Sequence, residues 1–293
     1  MPNVPNFGRS KLGISIIVRV LAGLLAGFLT LMPITQAQPQ PQNQAPSQRS
    51  SPALPALPVS HSVLTSLLRD YVRPRPDGIN RVDFAQFKAT GRDRLKSYID
   101  KLERAAPSRM PARAQMAFWI NLYNAKSLQL VLDRYPVASI RDIRLPDPSG
   151  KPADGPWKAN VTTIEGRTLS LDDIATKILR PQFRDPRIRY ALNCLALGCP
   201  NLLPEAYTPD RIEQQLDNVA TTFVNHPRGI TIKGGRVEAS NLYEWHEAEF
   251  GGFRPVMAHL SHYAKPELRR QLATVSKFDS YVFDWRLNDA ARR

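Results

Sequence analysis

Residues 114–134 read AQMAFWINLYNAKSLQLVLDR, and this stretch decides the fold. Apolar side chains cover most of its circumference, so periodicity gives a helix that is buried near the centre of a domain rather than laid on a surface. Pro136 stops it. Phe118, Trp119, Leu122 and Tyr123 are the packing residues such a helix needs. Asn121 and Asn124 are different, because a buried amide must be hydrogen-bonded. Each is expected to tie the helix to a loop or to line a cleft, and both are carried forward as candidate binding residues.

Upstream, Val63, Leu64, Leu67, Leu68, Tyr71 and Val72 recur at helical spacing and end before Pro74. Arg92 to Glu103 gives a second amphipathic helix with Leu95, Tyr98, Ile99 and Leu102 on one side. Downstream, NVTTI (160–164) alternates, and Glu165-Gly166-Arg167 turns it into a small hairpin. A short helix over Leu171–Leu179 follows, with Ser170 as its N-cap. IRYAL (188–192) reads as a buried strand, and Pro209 to Val224 as a helix capped by Thr208. ITIKGGRVEA (230–239) is a hairpin about Gly234-Gly235. Phe253–Tyr263 and Pro266–Ala273 are helical, and Tyr281–Trp285 is a terminal strand. Helices first and hairpins later predict an α+β class, a helical N-terminal half packed on a largely antiparallel sheet.

The N-terminus speaks to compartment. Arg9 and Lys11 precede an apolar run from Val20 to Met32, followed by Thr35 and Ala37 at the −3 and −1 positions of a cleavage site, the layout of a signal peptide over residues 1–37. The rival reading anchors the chain in an inner membrane through residues 14–32, at the expense of burying Arg19. No cysteine lies near Ala37, which excludes a lipoprotein anchor. Residues 38–58 are rich in Pro, Gln and Ser and form a tether. One domain over residues 59–293 remains. The chain is therefore expected to be periplasmic or secreted. Its formal charge is +14, or +11 once Arg9, Lys11 and Arg19 leave with the signal peptide. An exported chain with dispersed arginines is not expected to meet nucleic acid. An anionic envelope component or a peptide is the expected partner, and the membrane is met only through an uncleaved N-terminus.

The two cysteines, Cys194 and Cys199, both lie in ALNCLALGCPNL (191–202). An extended segment would hold their Cα atoms roughly 17 Å apart, beyond disulfide reach, but a turn at Gly198 would bring them together. An oxidising compartment favours pairing. A nucleophile, a metal clip and two buried hydrophobes are the other readings. A nucleophile needs a base, and the histidines are His61, His226, His246, His259 and His262. His246 is the candidate, in NLYEWHEAEFGG (241–252), read as a loop that places chemistry. Two cysteines with no neighbouring histidine do not make a metal site, and no cofactor is implied. Trp157, Trp245 and Trp285 are either core or a ligand platform.

AFWINLYNA (117–125), GPW (155–157), LSLDDI (169–174), ILRP (178–181), DPRIRYALNCLALGCPNL (185–202), YEWHEAEFGG (243–252) and FDWRLN (283–288) occur in an order similar to that of the domain of unknown function 547 family. The resemblance spans about residues 60–290. It implies comparison with papain- or transglutaminase-like cysteine hydrolases, with both family cysteines kept as Cys194 and Cys199. It also implies histidines where this chain has Thr176 and Arg189, an aromatic where it has His246, and an acid that it keeps as Glu249. Arg189 and Glu249, with Trp157, join the candidate binding residues. Three functions stay open: a non-enzymatic binding or structural module of the envelope, a cysteine-dependent hydrolase or acyltransferase using Cys194 and His246, and thiol–disulfide exchange.

Overall fold

A computed structural model describes residues 58–151 and 154–291, so the expected signal peptide, anchor and nearly all of the tether lie outside the described residues. The central element is α4, Ala112–Arg134, buried along most of its length. On it pack α2 (Phe84–Thr90) and α3 (Arg92–Glu103), and α1 (Ser62–Tyr71) packs on those two, each presenting an apolar face inward. A two-stranded ribbon, β1 (Val72–Arg73) with β2 (Arg81–Val82), joins α1 to α2. Among the described residues no helix is long and apolar enough to cross a membrane.

The class is α+β. The strands do not form one sheet, however: they divide among three small sheets. β3 (Thr162–Ile164) pairs antiparallel with β4 (Arg167–Leu169) across Glu165 and Gly166, both at positive φ, the geometry that a tight two-residue hairpin demands. β5 (Ile230–Lys233) pairs antiparallel with β6 (Arg236–Ser240), and β7 (Ser280–Val282) adds to β6 in parallel. Helices continue between and after the hairpins: α5 (Arg180–Phe183), α6 (Ile188–Ala191), α7 (Ile212–Val224), α8 (Asn241–Phe250), α9 (Phe253–Tyr263) and α10 (Pro266–Leu272).

Three local expectations are corrected. Residues 188–191 are one turn of helix, not a buried strand; Asp185 accepts a hydrogen bond from the Arg187 amide and starts the turn. Residues 241–250 are helical, not a loop, because the Ser240 hydroxyl accepts from the Leu242 amide and Gly251 ends the helix in the left-handed region. The helix read from Pro209 begins at Ile212, with Arg211 rather than Thr208 as its N-cap. Ser170 is placed as expected: its hydroxyl accepts from the Asp173 amide, and the Asp173 carboxylate accepts from Ser170 in return. The turn it starts continues as a wide π-type helix over Asp173–Leu179, a form that often marks functional positions.

His61, expected at the tether's edge, is buried before α1 with Nδ1 2.6 Å from the Tyr98 hydroxyl. Burial, helped by the charge of Lys101, lowers its pKa from 6.5 to about 4. The folded state therefore resists a proton that the unfolded chain accepts. This stability is fully present above pH 6.5 and is lost as pH falls toward 4, a difference of about 3 kcal/mol. Urea unfolding at pH 7 and pH 4.5 should show the loss, and His61→Gln should flatten that slope. An unchanged slope would remove His61 from the acid response.

Candidate functional site

Three elements bring the candidate residues together. The π-type turn supplies Ala175 and, just before it, Asp172; α6 supplies Arg189 and leads into Cys194; α8 supplies Trp245 and His246. With Tyr123 of α4, Trp157, and the C-terminal Phe283 and Trp285, they line a cleft of about 270 Å³. Trp285 stands at its centre, 5.5 Å from both Trp157 and Trp245 and 4.5 Å from Phe283 between ring centroids. Arg141 covers Trp285 at 5.1 Å, a cation–π contact. Trp245 remains 47% exposed, an unusual cost for an indole that packs only to fill a core.

The cysteines are joined. Cys194 and Cys199 form a disulfide with Cα atoms 6.0 Å apart. The expected turn is present at Leu197-Gly198, where the Cys199 amide donates to the Ala196 carbonyl, and Leu195, at φ 56°, adds a second change of direction. Gly198 is needed for a further reason: a Cβ there would lie 2.8 Å from the Asp284 backbone nitrogen, where the loop hydrogen-bonds the C-terminal segment. Asn193 staples the loop at both ends, accepting from the Leu195 amide and donating to the Pro200 carbonyl. Cys199 is buried and Cys194 faces the cleft.

His246, Glu249 and Arg189 form one charged group. Glu249 accepts from both Arg189 Nε and a terminal nitrogen, and its Oε1 lies 3.2 Å from His246 Nδ1. Burial opposes the Glu249 charge, but the hydrogen bonds from His246 and Arg189 outweigh it and hold the carboxyl at about 2. Burial pushes His246 down; the Glu249 bond opposes this and the Arg189 charge adds to it. His246 is therefore neutral near pH 7. Because an ionised carboxylate only accepts, Nδ1 carries the proton and Nε2 is the free base. Asp172 shares the cleft, its pKa raised by burial against the pull of Lys158 and Arg189.

Of the candidate residues, Cys194, His246, Arg189 and Trp157 line this cleft, and Glu249 lines the neighbouring one. Asn121 and Asn124 do not. Asn121 exchanges two hydrogen bonds with the Tyr207 backbone, and Asn124 bonds the Ala191 carbonyl and the Asn193 amide. Both amides are ties between α4 and loops, with their hydrogen bonds spent internally. Tyr123 and Asp172 are cleft residues that the sequence reading passed over, the first as packing and the second as part of LSLDDI. The positions where the resemblance implies histidine, 176 and 189, both line the neighbouring cleft beside Glu249. The departures from that pattern thus cluster at one place. Among the described residues no group of three or more His, Cys, Asp or Glu side chains is placed to hold a metal ion.

The family model DUF547, a protein of unknown function, matches residues 107–224. This is narrower than the resemblance drawn from motifs; it includes Asn121, Asn124, Trp157, Arg189 and both cysteines, but not His246, Glu249 or the C-terminal aromatic residues. No curated protein and no solved structure matches the chain.

Proposed function

We propose, from the premise that the chain belongs to the DUF547 family through residues 107–224, that it is an exported binding protein of the cell envelope whose tryptophan cleft takes a peptide-like ligand. The observation that carries this reading is the concave aromatic surface of Trp157, Trp245, Phe283 and Trp285, with a half-exposed indole on its rim. Clefts of this kind, apolar with a few polar groups, are the usual form of a ligand site. A peptide suits it better than an anion. Arg189 is already neutralised by Glu249, and Asp172 faces the same space. Export is supported by the N-terminal pattern and by a disulfide, which persists in oxidising compartments. A mature chain starting at Gln38 in the periplasmic fraction would bear out cleavage; full-length chain in the membrane fraction would favour the anchor.

The test uses tryptophan emission. Pooled N-acetylated, C-amidated tripeptides should quench the protein, and Trp245→Ala should weaken binding at least tenfold. Pools that leave emission unchanged, or a Trp245→Ala protein that binds as before, would overturn the reading.

One observation favours a second function. His246, its free base fixed at Nε2 by Glu249, lines the same cleft as Cys194, which is the nucleophile–base–orienter pattern. After reduction of the disulfide by a thiol, the Cys194 sulfur would attack an acyl carbon and His246 would take its proton and return it to the leaving group. Water would then hydrolyse the thioester. Reduced protein should release p-nitrophenol from p-nitrophenyl acetate with Cys199→Ser and His226→Ala active and Cys194→Ser inactive. Equal rates for Cys194→Ser and the parent would sink it.

A further inference from the structure

Beside the tryptophan cleft lies a second of about 480 Å³, lined by Thr176, Arg180, Arg184, Asp185, Arg189 and Glu249 among others. The two clefts share Ala175 and Arg189 as lining residues, so one ligand can occupy both. Charge distinguishes the second. Its two acids both have guanidinium partners: Glu249 has Arg189, and Asp185 has Arg187, which Glu213 and Asp217 share from outside the cleft. Lys177, on the same turn, is held by Asp173. Arg180 and Arg184 have no ion-pair partner among the described residues, and both are exposed. Two unmatched guanidinium groups on one concavity repel each other unless an anion joins them.

The backbone adds to the argument. Arg184 is held at φ 51°, ψ 31°, ending α5 in the left-handed region. Glycine or asparagine is the usual residue there, and the Cβ of other residues costs about 1–2 kcal/mol. The chain keeps an arginine instead, on a wall built from a π-type turn.

We infer that Arg180 and Arg184 form an oxyanion subsite, which takes a carboxylate or phosphate carried by the ligand whose apolar part lies against Trp245 and Trp285. As a subsite it rests on the reading of the tryptophan cleft; as an anion site it stands without it. Guanidinium forks match either oxyanion in two-point geometry, and the position beside an aromatic cleft makes the ligand an acidic peptide-like molecule rather than a free ion. The bound group adds to, and does not replace, the Arg189–Glu249 pair.

The experiment is calorimetric titration of the purified full chain with malonate and with inorganic phosphate at low ionic strength. The parent should bind at least one of the two, and the stronger identifies the group recognised. Arg180→Gln with Arg184→Asn should weaken it at least tenfold; asparagine is chosen because it tolerates the left-handed backbone. Arg254→Gln, at an exposed arginine outside the cleft, should leave it unchanged. An equal loss in Arg254→Gln would show attraction to a basic surface only and overturn the inference, as would a double variant that binds like the parent. Tripeptide quenching separates the two proposals. If it is absent while anion binding survives in the parent and falls in the double variant, the tryptophan cleft fails and the anion site stands. If quenching persists and the arginines make no difference, the subsite fails alone.

Discussion

Replacing Glu249 with alanine is expected to destabilise the fold by about 4 kcal/mol. The size follows from what is left behind. The Arg189 and Glu249 side chains are 9% and 12% exposed, so neither is compensated by water. Removing the carboxylate strands a guanidinium that cannot shed its proton at any working pH. Replacing both partners removes the stranded charge, so Arg189→Met with Glu249→Leu should recover most of the loss. Urea unfolding of the two single variants and the double variant measures this as a cycle. Glu249→Ala costing less than about 1 kcal/mol would mean the pair is solvated and of surface type. The pH dependence has a definite sign. Glu249 titrates at about 2 when folded against 4.5 as a free side chain, so its stabilisation is present above pH 4.5 and lost as pH falls through about 2. The variant should also disturb the tryptophan cleft, because Glu249 fixes the His246 ring and sits between the two clefts.

How much of this arrangement was legible in the sequence depends on length and on caps. The helix over Arg92–Glu103 matches its expected bounds, and α4 starts two residues before the apolar run; long periodic segments leave little to tertiary context. Residues 188–192 are largely apolar, as a buried strand would be, yet four of them form one helical turn. A segment that short carries too few positions to separate a period of two from 3.6. Helix α2 was missed although Asp83 and Gly91 bracket it: Asp83 accepts from the Gln86 amide, and the Gly91 amide closes on Phe87. The signal there was in the caps, not the pattern. At the site, Cys194 and His246 were paired by chemistry alone, and they line one cleft. Asp172 and Tyr123 had no such signal. Their importance comes from which loop packs over them, a property of the assembled fold. The expectation of one sheet failed for a related reason: strands of two to five residues pair with whatever edge lies near, and alternation says nothing about which.

Asn124→Ala should lower stability by a similar amount, about 4 kcal/mol, and the melting temperature by roughly 10 °C. The side chain is 3% exposed. Its Oδ1 accepts from the Asn193 amide at 2.8 Å, and its Nδ2 donates to the Ala191 carbonyl at 2.9 Å. Alanine would leave both backbone groups buried without partners, and each such group costs about 1–3 kcal/mol. Asn124→Asp keeps the acceptor but loses the donor and buries a charge, so it should do no better. Asn121→Ala is the informative comparison. It breaks two equivalent bonds to Tyr207, on the segment before α7, and should lower the melting temperature comparably. The two differ in what they hold. Asn124 grips the residues on either side of Leu192, directly before Cys194, whereas Tyr207 lies outside the cleft lining. At a temperature where both variants are folded, Asn124→Ala should also weaken tripeptide quenching and expose the Cys194–Cys199 disulfide to faster reduction, while Asn121→Ala leaves both unchanged. Equal effects of the two variants on quenching would mean that α4 supports the cleft only through overall stability, and that the tie to the cysteine loop has no separate role.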